Sequence, residues 1–187
     1  YSRKLDGLRC YYLDGVPISR TNKPHKQAPL SHITEQIKSH FNYEDYVLDG
    51  EIIYLNPDGS EDFKKAISLA RSDKRTKDCD NLYFCVFDMI QKDKFLCKQP
   101  DICFKDAYER LKIHHGITGE TDSWFTTYDK NILILKQVND TELDALQEAR
   151  FANNWEGIML RNGLAPYEYK RTSNLLKIKE MQDIELE

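Results

Sequence analysis

Residues 4–20 read KLDGLRCYYLDGVPISR. Within that stretch, two apolar-rich runs, LRCYYL and VPISR, flank the pair Asp14-Gly15, which is the signal of a tight antiparallel hairpin with a type I′ turn. Further on, YVLDGEIIYL (46–55) reads as a strand that contains a glycine and is closed by the turn Asn56-Pro57-Asp58-Gly59. LYFCVFDMI (82–90) reads as a buried strand, and WFTTY, ILILKQV, GIMLR, YEYKR and LLKIK as further strands. Helices are interspersed. SHITEQIKSHF (31–41) sets Ile33, Ile37 and Phe41 on one face, with Ser31 as its cap. Residues 61–70 read as helical, DICFKDAYERLKIHH (101–115) as an amphipathic helix capped by Asp101 and ended before Gly116, and 140–153 as a helix opened by Asp140 or Thr141. RSDKRTKDCDN (71–81) is charged and lacks apolar periodicity, which predicts a mobile surface loop. Strands joined by tight turns among separate helices predict an α+β fold with largely antiparallel sheets.

Composition bounds the function. The chain has 187 residues, 40% hydrophobic and 11% aromatic, which suits one globular domain and argues against intrinsic disorder. A net charge of -4 excludes a protein that holds nucleic acid by bulk positive charge. The sign is uneven, however. Residues 1–26 carry six basic side chains (Arg3, Lys4, Arg9, Arg20, Lys23, Lys26) against Asp6 and Asp14, a local +4 that leaves -8 for the rest. No apolar run approaches the ~18 residues of a membrane span, so no membrane partner is expected. The charged opening YSRKLD is not a signal peptide, and five cysteines, an odd count, read as free thiols, so an intracellular location is expected. The spacings 79/85 and 97/103 fit no zinc site.

Several segments carry chemistry. In KLDGLR, Lys4 lies beside Asp6 and Arg9, and Gly7 lets the backbone approach a neighbour closely. A lysine attacks only when neutral, and its ordinary pKa of about 10.4 must be lowered by burial or nearby cations. The alternative is a solvated surface ion cluster. SRTNKPHK (19–26) offers a hydroxyl and cations, with Arg20 as a forked phosphate donor, or simply a basic surface loop. LDGEIIY (48–54) puts Asp49 and Glu51 on one face of a strand, where each needs a ribose, a metal or a basic partner. Phe87 in FDM reads as core or as a base-stacking face. WEGIMLR (155–161) makes Glu156 a metal-ligand candidate or a turn residue. Lys177 and Lys179 in LLKIK repel each other on one strand face unless an anion lies between them; protection of an edge strand is the other reading.

Taken together, these segments resemble the covalent nucleotidyltransferases, and within them the ATP-dependent DNA ligases. Five of that superfamily's six ordered motifs stand in order, KLDGLR, SRTNK, LDGEIIY with FCVFDM, WEGIMLR and LLKIKEM, from Lys4 to Lys179. SRTNKPHK and LLKIKEMQD are most similar to the small viral and phage DNA ligases. The resemblance implies a nucleotidyltransferase domain over residues 1–179. In it Lys4 attacks the α-phosphorus of ATP, expels pyrophosphate and holds AMP as a phosphoramidate; AMP then passes to the 5′-phosphate of a nick, and the 3′-hydroxyl closes the phosphodiester. It implies Phe87 on adenine, backbone near Ser2–Arg3 reading the base edge, Arg9 and Glu51 on the ribose, Glu156 on Mg²⁺, and Lys177 and Lys179 on the α-phosphate. Arg20 and Arg171 would meet AMP or the nick's 5′-phosphate, with Lys23 beside Arg20 toward the DNA. The expected partners are ATP, Mg²⁺ and nicked double-stranded DNA, and the expected state is a monomer. Residues 180–187 are expected to begin a linker to a C-terminal OB-fold domain that carries the sixth motif. An RNA ligase or an mRNA capping guanylyltransferase would share the lysine chemistry, and a non-catalytic nucleotide- or DNA-binding module would share the pocket.

Overall fold

The computed structural model describes residues 1–114, 116 and 124–179. Its strands are β1 (Ser2–Arg3), β2 (Leu8–Leu13), β3 (Val16–Ser19), β4 (Tyr46–Tyr54), β5 (Leu82–Gln91), β6 (Phe125–Asp129), β7 (Ile132–Leu135), β8 (Ile158–Arg161) and β9 (Leu175–Ile178). Its α-helices are α1 (Gln27–His40), α2 (Phe63–Ala70), α3 (Lys92–Cys97), α4 (Phe104–His114) and α5 (Leu143–Ala152). Six strands form one sheet in the order β3-β2-β4-β5-β7-β6, and three form another in the order β1-β8-β9. Every pairing is antiparallel except β5 with β7, so the expected α+β class with largely antiparallel sheets is what the chain adopts.

The β2–β3 hairpin closes on Asp14 and Gly15, whose φ values of 52° and 69° give the two left-handed positions of a type I′ turn. One face of the large sheet packs Ile52, Phe84, Val86 and Met89 against Leu30, Ile33 and Ile37 of α1, Ala66 of α2 and Leu111 of α4. The other face carries Leu5, Ile53, Cys85, Leu133 and Leu135, with Phe87 packed against them. Ile158 of the small sheet meets Val138 and Leu146 of α5. A cleft between the two sheets takes its walls from both.

Helix α3 is absent from the sequence reading, and local structure departs from that reading elsewhere as well. Helix α1 starts at Gln27, and Ser31 is inside it; Pro29 fits the first turn, where its missing N–H has no helical acceptor to lose. Lys77–Asn81 of the charged segment winds into a 3-10 turn because Cys79 is fully buried in the core. Helix α4 begins at Phe104, and Asp101 instead accepts from Gln91 N at 2.9 Å and Arg110 Nη2 at 2.7 Å. Asn139, not Asp140 or Thr141, caps the turn before α5, accepting from Thr141 N at 2.9 Å. YEYKR forms no strand, since Tyr167 turns in to Asp49 at 2.8 Å and Tyr169 to Lys94 O at 3.1 Å. Residue 115 and the proposed linker 180–187 lie outside the described residues.

Candidate active site

Lys4 leaves the small sheet directly after β1, with its backbone N–H donating to Gly157 O at 2.8 Å. The following loop crosses to the large sheet through Gly7, where a Cβ would stand 2.6 Å from Ile52 O, so glycine alone permits that approach. The Lys4 side chain is 14% exposed, and its Nζ donates to Glu156 and to Leu5 O at 3.3 Å. The second oxygen of Glu156 accepts from Lys179, so one carboxylate is shared between two ammonium groups. Gly157 lets this corner close, since a Cβ there would lie 2.3 Å from Ile178 O across the β8–β9 pair. Burial lowers the Lys4 pKa, and Lys179 and Lys177 lower it further, against the opposing pull of Glu51 and Asp6.

Phe87 is placed by a bulge. Asp49 pairs with Asp88 and Gly50 with Val86, so Phe87 is the residue with no partner across the ladder. Its half-buried ring lines the cleft, and one face is covered by the Arg9 guanidinium, 4.8 Å from the ring centroid. Arg9 is held there by Asp49, through Nε at 2.6 Å and a second contact from Nη2, while Tyr167 donates to the same carboxylate. Asp49 is fully buried, and its charge raises the Arg9 pKa beyond what burial takes away. Glu51, two residues along β4, looks into the cleft. Burial pushes it up to about 7, against Arg9 and Lys4.

A folded-state pKa raised above the unfolded value means that stability is full below the unfolded pKa and is lost as pH rises through the folded one. Glu51→Gln removes that loss. The melting temperature of the variant relative to the unsubstituted chain is therefore expected to climb as pH goes from about 5 to about 8. A difference that stays flat across that range would show that Glu51 ionises there without cost.

Residues 1–179 match the family model described as the ATP dependent DNA ligase domain. The chain belongs to that family. Among curated relatives it is 28% identical over 134 residues to the SPbeta prophage-derived DNA ligase-like protein LigB of Bacillus subtilis (strain 168), covering 71% of this chain and 43% of that one. The fold is that of solved ligases. A TM-score of 0.69 at 18% identity relates it to the ATP-dependent DNA ligase from bacteriophage T7 in complex with ATP, over 95% of this chain and 60% of that one. A Lig E DNA ligase gives 0.66 at 22% identity, over 96% and 60%. The chain thus spans less than two thirds of these proteins.

In this ligase domain the cleft gathers Ser2, Arg3, Lys4, Arg9, Glu51, Phe87 and Lys177 from segments distant in sequence. Glu156 and Lys179 join them through the ion pairs to Lys4 and to each other. The Arg3 side chain pairs with Glu61 at 3.1 Å, and its guanidinium lies against the Trp155 and Phe125 rings. Arg171 is exposed and lines neither this cleft nor the smaller one beside it, and Arg20 and Lys23 are exposed on the loop after β3. The sequence reading missed Arg161, whose Nη2 donates to buried Asp88 at 2.5 Å while its guanidinium lies 3.7 Å from the Phe104 ring centroid. It also missed Gln137, Met159 and Leu175 on the cleft wall. The final arginine of WEGIMLR was the one available signal for Arg161. Among the described residues, no helix is long and apolar enough to cross a membrane.

Proposed function

We propose that this domain charges Lys4 with AMP from ATP and delivers the AMP to the 5′-phosphate of a nick in duplex DNA, which it then seals. The observation that carries this reading is a half-buried lysine lining a two-sheet cleft, its ammonium hydrogen-bonded to Glu156 and its pKa lowered. Before attack the ammonium gives up a proton, and Glu156 is the carboxylate in contact to receive it. The freed amine forms the phosphorus–nitrogen bond as the bond from phosphorus to the pyrophosphate oxygen breaks. Lys177 and Lys179 offset the charge that develops on the α-phosphate oxygens.

Mg²⁺ suits these donors, since it is commonly held by one or two carboxylates together with substrate phosphates. Among the described residues no group of three or more His, Cys, Asp or Glu could hold a metal alone, and Glu156 would be the protein's share beside the substrate phosphates. The ion would supply charge neutralisation at phosphorus. On the DNA side, Arg20 and Lys23 would meet backbone phosphates. Lys26 Nζ, 2.6 Å from Asp73, ties their loop to the exposed segment that carries Arg71 and Lys74.

Phe87 would stack on adenine with the ring face that Arg9 leaves open. Such stacking is worth roughly 1–3 kcal/mol, so Phe87→Ala is expected to weaken ATP binding about ten- to a hundred-fold, with Phe87→Tyr or Phe87→Trp keeping most of it. A strongly lowered melting temperature with unchanged affinity per folded molecule would return Phe87 to a purely core role.

The overall reading is tested by incubating the chain with labelled ATP or GTP and weighing the product. A gain of one AMP is the expected result. A gain of one GMP selects a capping-type transferase, and no gain leaves a nucleotide-binding module.

A further inference from the structure

We propose that Glu61 is a positioning residue for the nucleophilic lysine, an inference that rests on the Lys4 reading above. Glu61 belongs to none of the sequence motifs and is not part of the cleft wall. Its carboxylate is nonetheless only 7% exposed, and it grips the chain on both sides of Lys4. One oxygen lies 3.1 Å from Nη2 of Arg3, the residue before Lys4, as a buried ion pair that makes no hydrogen bond. The other accepts the backbone N–H of Asp6, two residues after it, at 3.1 Å.

Both ends of this clamp are fixed. Arg3 cannot swing away, because its guanidinium carbon lies 4.2 Å from the Trp155 ring centroid and 4.8 Å from that of Phe125. Glu61 is bridged to Leu55 at the end of β4 and precedes Asp62, which caps α2 by accepting from Lys65 N at 2.9 Å. The Lys4 backbone N–H is meanwhile tied to Gly157 of the small sheet at 2.8 Å. The lysine is therefore located by both sheets at once, Gly157 from one side and Glu61 from the other. Attack needs the amine aligned with the scissile bond, and a displacement of about 1 Å is enough to cost about a hundred-fold in rate. Glu61 acts through backbone and guanidinium, so its removal should disturb the step in which Lys4 attacks and leave the rest of the cleft in place.

The test compares the full chain with Glu61→Ala and Glu61→Gln in two assays, Lys4–AMP formation from ATP and sealing of a nick that already carries AMP, in which Lys4 does not attack. Glu61→Ala is expected to slow adduct formation about ten- to a hundred-fold, with KM for ATP within about two-fold and sealing unchanged. Glu61→Gln keeps an acceptor for the Asp6 N–H and should recover most of the lost rate. Equal slowing of both steps, a loss confined to KM, or an unchanged adduct rate would overturn the inference. Should Glu61→Ala fail to fold, Glu61→Asp, which shortens the reach by one methylene, is judged by the same two rates. If the unsubstituted chain forms no adduct on Lys4, the Lys4 reading itself falls and takes this one with it; a normal adduct indifferent to Glu61 overturns the clamp alone.

Discussion

Lys4→Arg is expected to abolish the covalent AMP adduct, a loss of at least about a thousand-fold in the rate of its formation, while the folded domain still binds ATP. Arginine keeps the charge and can still reach Glu156, so the ion pair at the cleft mouth survives. It cannot supply the chemistry, because a guanidinium holds its proton at any accessible pH. The lysine is different by placement. Burial and the ammonium groups of Lys179 and Lys177 make its neutral form easier to reach. The same argument gives the effect of Lys179→Ala: Glu156 would then serve Lys4 alone, the Lys4 pKa would rise, and adduct formation would need a higher pH. Mass spectrometry of the chain after incubation with ATP, followed by peptide mapping, reads the first result directly. An acid-labile AMP adduct carried by another lysine would remove Lys4 from the role.

The parts of the site legible in the sequence are those encoded locally. The Asp14-Gly15 pair specifies its own turn, so the hairpin behind Lys4 could be read from a few residues. Alternation along LDGEIIY placed Asp49 and Glu51 on one face, and the structure puts them there, one on Arg9 and the other in the cleft. The illegible parts are made by partners far away. Phe87 reaches the cleft because β5 gains a residue against β4, and a bulge is a property of two strands together. Arg161 finds Asp88 across 73 positions of sequence. Glu61 stood in no motif, and its partners Arg3 and Asp6 lie more than fifty positions away in sequence. YEYKR had the composition of a strand, but the Tyr167 hydroxyl turns to buried Asp49 and the Tyr169 hydroxyl to Lys94 O, which draws it out of one.

Arg161→Met is expected to be the most destabilising single change among the residues that build the cleft floor. Asp49 and Asp88 stand opposite each other across the β4–β5 ladder, 0% and 1% exposed. Two buried carboxylates in register are tolerable because each has its own guanidinium, Arg9 for Asp49 and Arg161 for Asp88. Methionine can fill much of the volume beside Phe104, but Asp88 then loses its counter-charge while Asp49 remains. Removing one partner of a buried pair costs about 3–5 kcal/mol, which for a chain of this length lowers the melting temperature by roughly 6–20 °C. The pH dependence has a definite sign. Burial already raises the Asp88 pKa against the pull of Arg161. Without Arg161 that pKa rises further, and stability is lost as pH climbs through it. The deficit relative to the unsubstituted chain should thus be small near pH 4 and large at neutral pH. A second substitution, Asp88→Asn, removes the stranded charge and should restore most of the melting temperature at neutral pH. If the double variant melts no higher than Arg161→Met alone, Arg161 stabilises the domain through its contact with Phe104 and not through its charge.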